Sequence, residues 1–177
     1  MTFPKLFGAN STAMSKFTRQ TLPALAIVGF VLGASLSPSV AASAIGFNQN
    51  AALRLVNNFR AENGAAPLRL DSQLMQVART QSNAMADRNK VGHSVAGSLS
   101  SRMRNGGVKY SAIAENIGAG QSTFAAAMNR WIRSPGHRKN ILRSNLTSIG
   151  FAGSQNGGRN YWTQVFSAPP RSFISGL

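Results

Sequence analysis

Apolar residues recur at helical spacing in several stretches of the chain. Ala52, Leu55, Val56 and Phe59 define one face of a helix predicted over 49–63, which Gly64 ends. Asp71 can cap a second helix running to about Asn89, with Leu74, Ala78, Gln81 and Met85 along one stripe. Ser98 can start a short third helix carrying Leu99 and Met103, and Asn105-Gly106-Gly107 stops it. Ser122 or Thr123 can cap a further helix whose inward face is Phe124, Ala127, Met128 and Trp131. Ser134-Pro135-Gly136 breaks that helix, because proline disfavours helical backbone at the residue before it. Between the first two helices, Pro67-Leu68-Arg69-Leu70 reads as a connector.

The pattern changes period towards the end. Val108 to Ile117 reads as a loop leading into a short strand that carries Glu115. Thr147 to Gly153 alternates, with Ile149 and Phe151 apolar, and Tyr161 to Phe166 is rich in aromatic and β-branched residues. Asn156-Gly157-Gly158 between them turns the chain, so the pair reads as a β-hairpin. Helices come first and a hairpin closes the chain. An α+β domain layered around an antiparallel sheet is expected.

The first 44 residues carry a different signal. Lys5, Lys16 and Arg19 give a positive start without acids, Leu22–Leu36 is an apolar run, and small residues follow from Val40 to Ala44. That order is a secretory signal peptide, with Val40-Ala41-Ala42 and Ala42-Ser43-Ala44 both fitting the cleavage rule. The alternative is an uncleaved anchor, but the run falls short of the roughly 20 apolar residues a spanning helix needs. Met14 would also serve as a conventional start. Residues 45–177 are then one domain, large enough to bury a core without disulfides, and the chain has no cysteine. The product is expected to be secreted or periplasmic, with membrane contact at most peripheral after cleavage.

Charge narrows the partners. Sixteen of the 19 Lys and Arg and all four acids lie beyond residue 44, a net charge of about +12. Such a surface attracts an anionic envelope polymer or lipid over a screened range of ~8–10 Å. The densest group is Arg130, Arg133, Arg138, Lys139 and Arg143. No nucleic-acid fingerprint accompanies it, so no specific nucleic-acid partner is expected.

The chain has two histidines, His93 in Val91-Gly92-His93-Ser94 and His137 in Ser134-Pro135-Gly136-His137-Arg138. Between them lies Glu115, one of four acids. Three readings fit these residues. Two imidazoles and a carboxylate make a catalytic metal set, although no pair shares one helix at metal-ligand spacing. A histidine oriented by Glu115 could serve acid–base chemistry, with Ser94 and Ser134 the nearest hydroxyls in sequence. Or the three hydrogen-bond one another and the backbone, as buried polar groups must.

A longer ordered set carries a resemblance: Asn57-Asn58-Phe59-Arg60, Pro67-Leu68, Gly92-His93-Ser94, Ala114 to Gly118, Trp131 to Leu142, Ile149-Gly150-Phe151 and Tyr161 to Phe166. It resembles the bacterial, cysteine-free branch of the CAP superfamily of cysteine-rich secretory, antigen 5 and pathogenesis-related proteins, also called SCP domains. The resemblance covers nearly all of residues 45–177. It implies a three-layer α-β-α sandwich with a central antiparallel sheet and a cleft. In the family two His and two Glu line that cleft, and some members bind divalent metal there. His93, Glu115 and His137 match three of the four, which makes them the expected cleft and metal residues, with Zn2+ as the cofactor. The place of the second Glu holds Ser134. Asn116 is expected to support the backbone of the site. The family implies no single activity. The first expectation is a binding module for an envelope lipid or other anionic or hydrophobic ligand. The alternative is a metal-dependent hydrolase using the His/Glu/His cleft.

Overall fold

The computed structural model describes residues 41–171, so the apolar run Leu22–Leu36 and Met14 lie outside the described residues. In chain order the elements are β1 (Ser43–Ala44), α1 (Gln49–Glu62), β2 (Arg69–Leu70), α2 (Ser72–Asp87), α3 (Leu99–Asn105), β3 (Ala112–Ala119), α4 (Phe124–Arg133), α5 (Pro135–Leu142), β4 (Ser148–Asn156) and β5 (Arg159–Ala168). No helix among the described residues is long and apolar enough to cross a membrane.

The helix starts follow from side-chain caps. Asn48, Asp71, Ser98 and Thr123 each accept a hydrogen bond from a backbone N–H in the first turn of their helix. The sheet runs in the order β1-β4-β5-β3, with every pair in that path antiparallel. Gly157 and Gly158, both at positive φ, make the turn between β4 and β5.

Alternation along β5 sorts the core into two sides. Trp162 and Phe166 pack with Val56 of α1, Phe124, Met128 and Trp131 of α4 and Ile141 of α5. Val165, on the opposite face, packs with Leu74, Val77 and Ala78 of α2 and Met103 of α3. The molecule is therefore the α-β-α sandwich expected. An aromatic group closes the first side: Phe47 stacks on Phe124 at 5.4 Å, and Phe151 meets Phe124 edge-on at 5.0 Å. On the second side the helix backbone touches the sheet. A Cβ on Gly150 would lie 2.2 Å from the Leu74 carbonyl carbon, so only glycine admits α2 this closely.

Three expectations need correction. The 67–70 connector contains β2, which pairs in parallel with β4 through Arg69↔Ser148 and Leu70↔Ile149. Two residues carry no readable period, so only the partner reveals the strand. The strand carrying Glu115 is long rather than short, spanning eight residues and paired with β5 throughout. Pro135 does end α4, but it also begins α5. At the first helical position proline's missing N–H has no helical partner to lose, and its fixed φ suits the helix.

Candidate functional site

β3 is the strand at one end of the sheet order, with β5 as its neighbour. Successive side chains on it point to opposite layers. Asn116 faces α5, where its Nδ2 donates to the His137 carbonyl at 3.2 Å and to Gln164 Oε1 at 3.2 Å. Glu115 faces α3, where Arg102 lies 2.7 Å from its Oε2. The site forms where both layers reach past this strand. His93 arrives from the α2–α3 loop and His137 from α5.

The loop bearing His93 is tied down from beneath. Gln81 of α2 is buried, donates to the Gly92 carbonyl at 2.6 Å and accepts from the Ala96 N–H at 3.3 Å. Arg102, also buried, donates to the His93 and Gly97 carbonyls at 3.1 and 3.3 Å. His93 itself meets Glu115 through an Nδ1–Oε1 hydrogen bond of 2.8 Å. The carboxylate is thus hydrogen-bonded at Oε1 and ion-paired at Oε2, with a side chain only 2% exposed, while the His93 side chain is 59% exposed.

α5 is held as firmly. Asn140 Nδ2 donates to the Glu115 carbonyl at 3.1 Å and to Asn116 Oδ1 at 3.0 Å, so β3 and α5 are stitched by two amides. Asn116 supports the backbone of the site as expected. At the far end, Arg60 of α1 is buried and donates to the Ile141 and Arg143 carbonyls, capping α5 from outside the helix. At the near end Ser134 makes no side-chain cap bond, which leaves the first N–H groups of α5 free of that partner. His137 Nδ1 is buried without a hydrogen-bond partner among the described residues. Burial first, then the neighbouring His93 and Arg130, holds the His137 imidazole below the ordinary histidine range.

These residues surround an open basin of about 780 Å3, lined by His93, Glu115, Ser134, Gly136, His137, Lys139, Asn140 and Arg143. The structure therefore brings together all three site residues expected from sequence, with Ser134 at the rim. Ser94 lines a neighbouring recess instead. Neither serine is hydrogen-bonded to an imidazole among the described residues. Nor do three or more His, Cys, Asp or Glu of the described residues form a metal-ligand group. Sequence reasoning missed Gln81, Arg102 and Asn140. Gln81 had a signal, a polar residue within an apolar stripe, which a buried position makes costly unless it is bonded. Arg102 had none, because the buried face of a seven-residue helix is not readable.

The cysteine-rich secretory protein (CAP) family model matches residues 53–166. The uncharacterised protein YkwD of Bacillus subtilis is 36% identical over 128 residues, covering 71% of this chain and 49% of that protein. An uncharacterised membrane protein of the same organism, YlbC, is 34% identical over 116 residues, covering 64% of this chain and 32% of its own length. The chain thus spans half or less of these curated relatives. Among solved structures, an extracellular SCP-domain protein of Bacillus anthracis is similar at TM-score 0.61 and 31% identity, covering 67% of this chain and 39% of that one. An outer surface protein of Borrelia burgdorferi shares the fold at TM-score 0.65 and 14% identity, covering 72% of this chain and 98% of that one.

Proposed function

This chain belongs to the CAP family, and on that footing we propose that it is an exported binding module that holds an anionic ligand of the cell envelope in the His93–His137 basin. The observation that carries the reading is the charge of the basin. Lys139 and Arg143 line it beside two imidazoles and the uncapped start of α5. A helix N-terminus presents free N–H groups and a positive dipole end to anions. The one carboxylate there, Glu115, is already matched by Arg102. With Ser134 where the family has a second Glu, nothing else in the basin repels an anion. Export is supported by the charged, apolar and small-residue order of the first 44 residues. The similar extracellular protein of Bacillus anthracis points the same way. Titration of the mature domain with inorganic phosphate, and flotation with phosphatidylglycerol against phosphatidylcholine vesicles, test the reading. Binding to both anions should fall steeply with salt and weaken in Lys139→Ala, but not in Arg54→Ala on α1. Retention that ignores salt would sink it in favour of an apolar ligand.

A metal-dependent hydrolase is the second reading, and one contact favours it. A carboxylate bonded to His93 Nδ1 is the arrangement that orients metal-binding imidazoles, leaving Nε2 outward. His137 lines the same basin, and its lowered pKa keeps the second imidazole neutral and able to ligate. His93 and His137 would hold Zn2+, with water completing the shell, and Glu115 would fix the His93 tautomer. The ion would supply a Lewis acid and a bound water of lowered pKa. Calorimetry on wild type, His93→Ala and His137→Ala decides it. Zinc binding retained in both variants rules out a shared site.

A further inference from the structure

The basin does not end at His93. A second recess of about 400 Å3 lies beside it, lined by Arg88, Lys90, Gly92, His93, Ser94 and Val95. His93 lines both, and its side chain is 59% exposed where the two meet at this residue. The basin alone already has the capacity of a drug-sized site, roughly 300–1,000 Å3. A lone phosphate headgroup would leave most of such a groove unfilled.

The cations continue with the space. Lys139 and Arg143 are exposed on one side of His93, and Arg88 and Lys90 on the other. Arg88 is anchored, its Nη1 donating to the Val95 carbonyl at 2.5 Å. Of the four acids, Glu62, Asp71, Asp87 and Glu115, only Glu115 lines either recess. Its side chain is 2% exposed and paired with Arg102. Asp87, next to Arg88 in sequence, accepts from the Ala42 N–H at 3.1 Å. An anion lying along the groove thus meets positive groups at both ends and no free carboxylate lining it.

From this geometry we infer that the ligand is a linear polyanion bearing repeated phosphate groups, which crosses His93 and is held by Lys139 and Arg143 at one end and Arg88 and Lys90 at the other. The inference rests on the anion-binding reading above and specifies its ligand class. Nucleic acid is the less favoured polyanion. Binding of single strands without sequence preference uses aromatic stacking platforms. Among the described residues the exposed large apolar side chain is Val91, which has no ring to stack on.

Calorimetric titration of the mature protein with tripolyphosphate and with a long-chain inorganic polyphosphate fraction tests this. The long chain should bind the more tightly, with a salt slope near 3 for four exposed cations, by the counterion rule for single strands at about 0.7 each. Lys90→Ala should weaken the long chain about fivefold, the effect of one exposed charge contact of ~1 kcal/mol, and leave tripolyphosphate unchanged. Lys139→Ala should weaken both. If tripolyphosphate binds but length adds nothing and Lys90→Ala is silent, the groove ends at His93 and only the extended ligand is overturned. If neither phosphate binds, the anion reading itself fails. Single-stranded DNA binding far more tightly than polyphosphate of equal charge would replace the proposed ligand with nucleic acid.

Discussion

Glu115 Oε1 accepts a 2.8 Å hydrogen bond from His93 Nδ1, across 22 residues of sequence. An ionised carboxylate only accepts, so the proton sits on Nδ1 and the lone pair of neutral His93 is on Nε2. The same carboxylate faces Arg102, whose side chain is 3% exposed. One acid therefore sets a tautomer and neutralises a buried cation.

Removing that acid should cost more than its exposed contact suggests. Glu115→Ala strands the Arg102 guanidinium in the interior, and breaking a buried pair by deleting one partner costs about 3–5 kcal/mol. Urea unfolding of the mature domain should show a loss of that order. A loss below ~1 kcal/mol would mean that Arg102 finds water or a new partner.

His137 gives stability a pH dependence. Its folded pKa is depressed, chiefly by burial and then by His93 and Arg130. Between that depressed value and the ordinary histidine value of about 6.5, the folded protein thus binds fewer protons than the unfolded chain. The contribution is fully present above that pH. It is lost as pH falls through the depressed folded value. His137→Gln should flatten this part of the profile in thermal melts across mildly acidic pH. NMR titration of the imidazole should give a midpoint below the usual range; a raised midpoint would contradict the assignment.

Gly150→Ala should destabilise by about 1–3 kcal/mol, the usual cost of overpacking. The added methyl would meet the Leu74 carbonyl carbon at 2.2 Å and the Met75 nitrogen at 2.3 Å, both backbone. No side-chain rotation relieves such a clash, so α2 itself must lift. A melting temperature unchanged from wild type would show that the helix moves freely.

The mature N-terminus should keep Ser43 and Ala44. They pair with Gln155 and Ser154 on the outer edge of β4, and the Ile45 N–H donates to Gly153. Cleavage after Ala42 preserves this pairing; cleavage after Ala44 removes it and bares the β4 edge. Unpaired strand edges invite association with other chains. Mass spectrometry of the exported protein should therefore exclude Ile45 as the first residue, and finding Ile45 there would refute the assignment.

Periodicity and capping chemistry by themselves determined most of the elements. α1 begins where its periodicity places it, α2 and α3 begin after the caps read for them, Asp71 and Ser98, and α4 after Thr123, one of the two caps read; the Gly157-Gly158 turn joins the two strands that alternation shows. These are local signals, read within a turn or two of chain. The family resemblance carried by the ordered motifs implied one cleft for His93, Glu115 and His137, and all three line the basin. Tertiary structure decided what is non-local. β2 exists only because β4 lies beside it, and α5 restarts directly after α4 at a proline. Gln81, Arg102 and Asn140 become site residues only once two helical layers meet past the end of β3. Their roles rest on hydrogen bonds to backbone carbonyls distant in sequence. A carbonyl has no residue identity, so such partners leave no mark in the sequence.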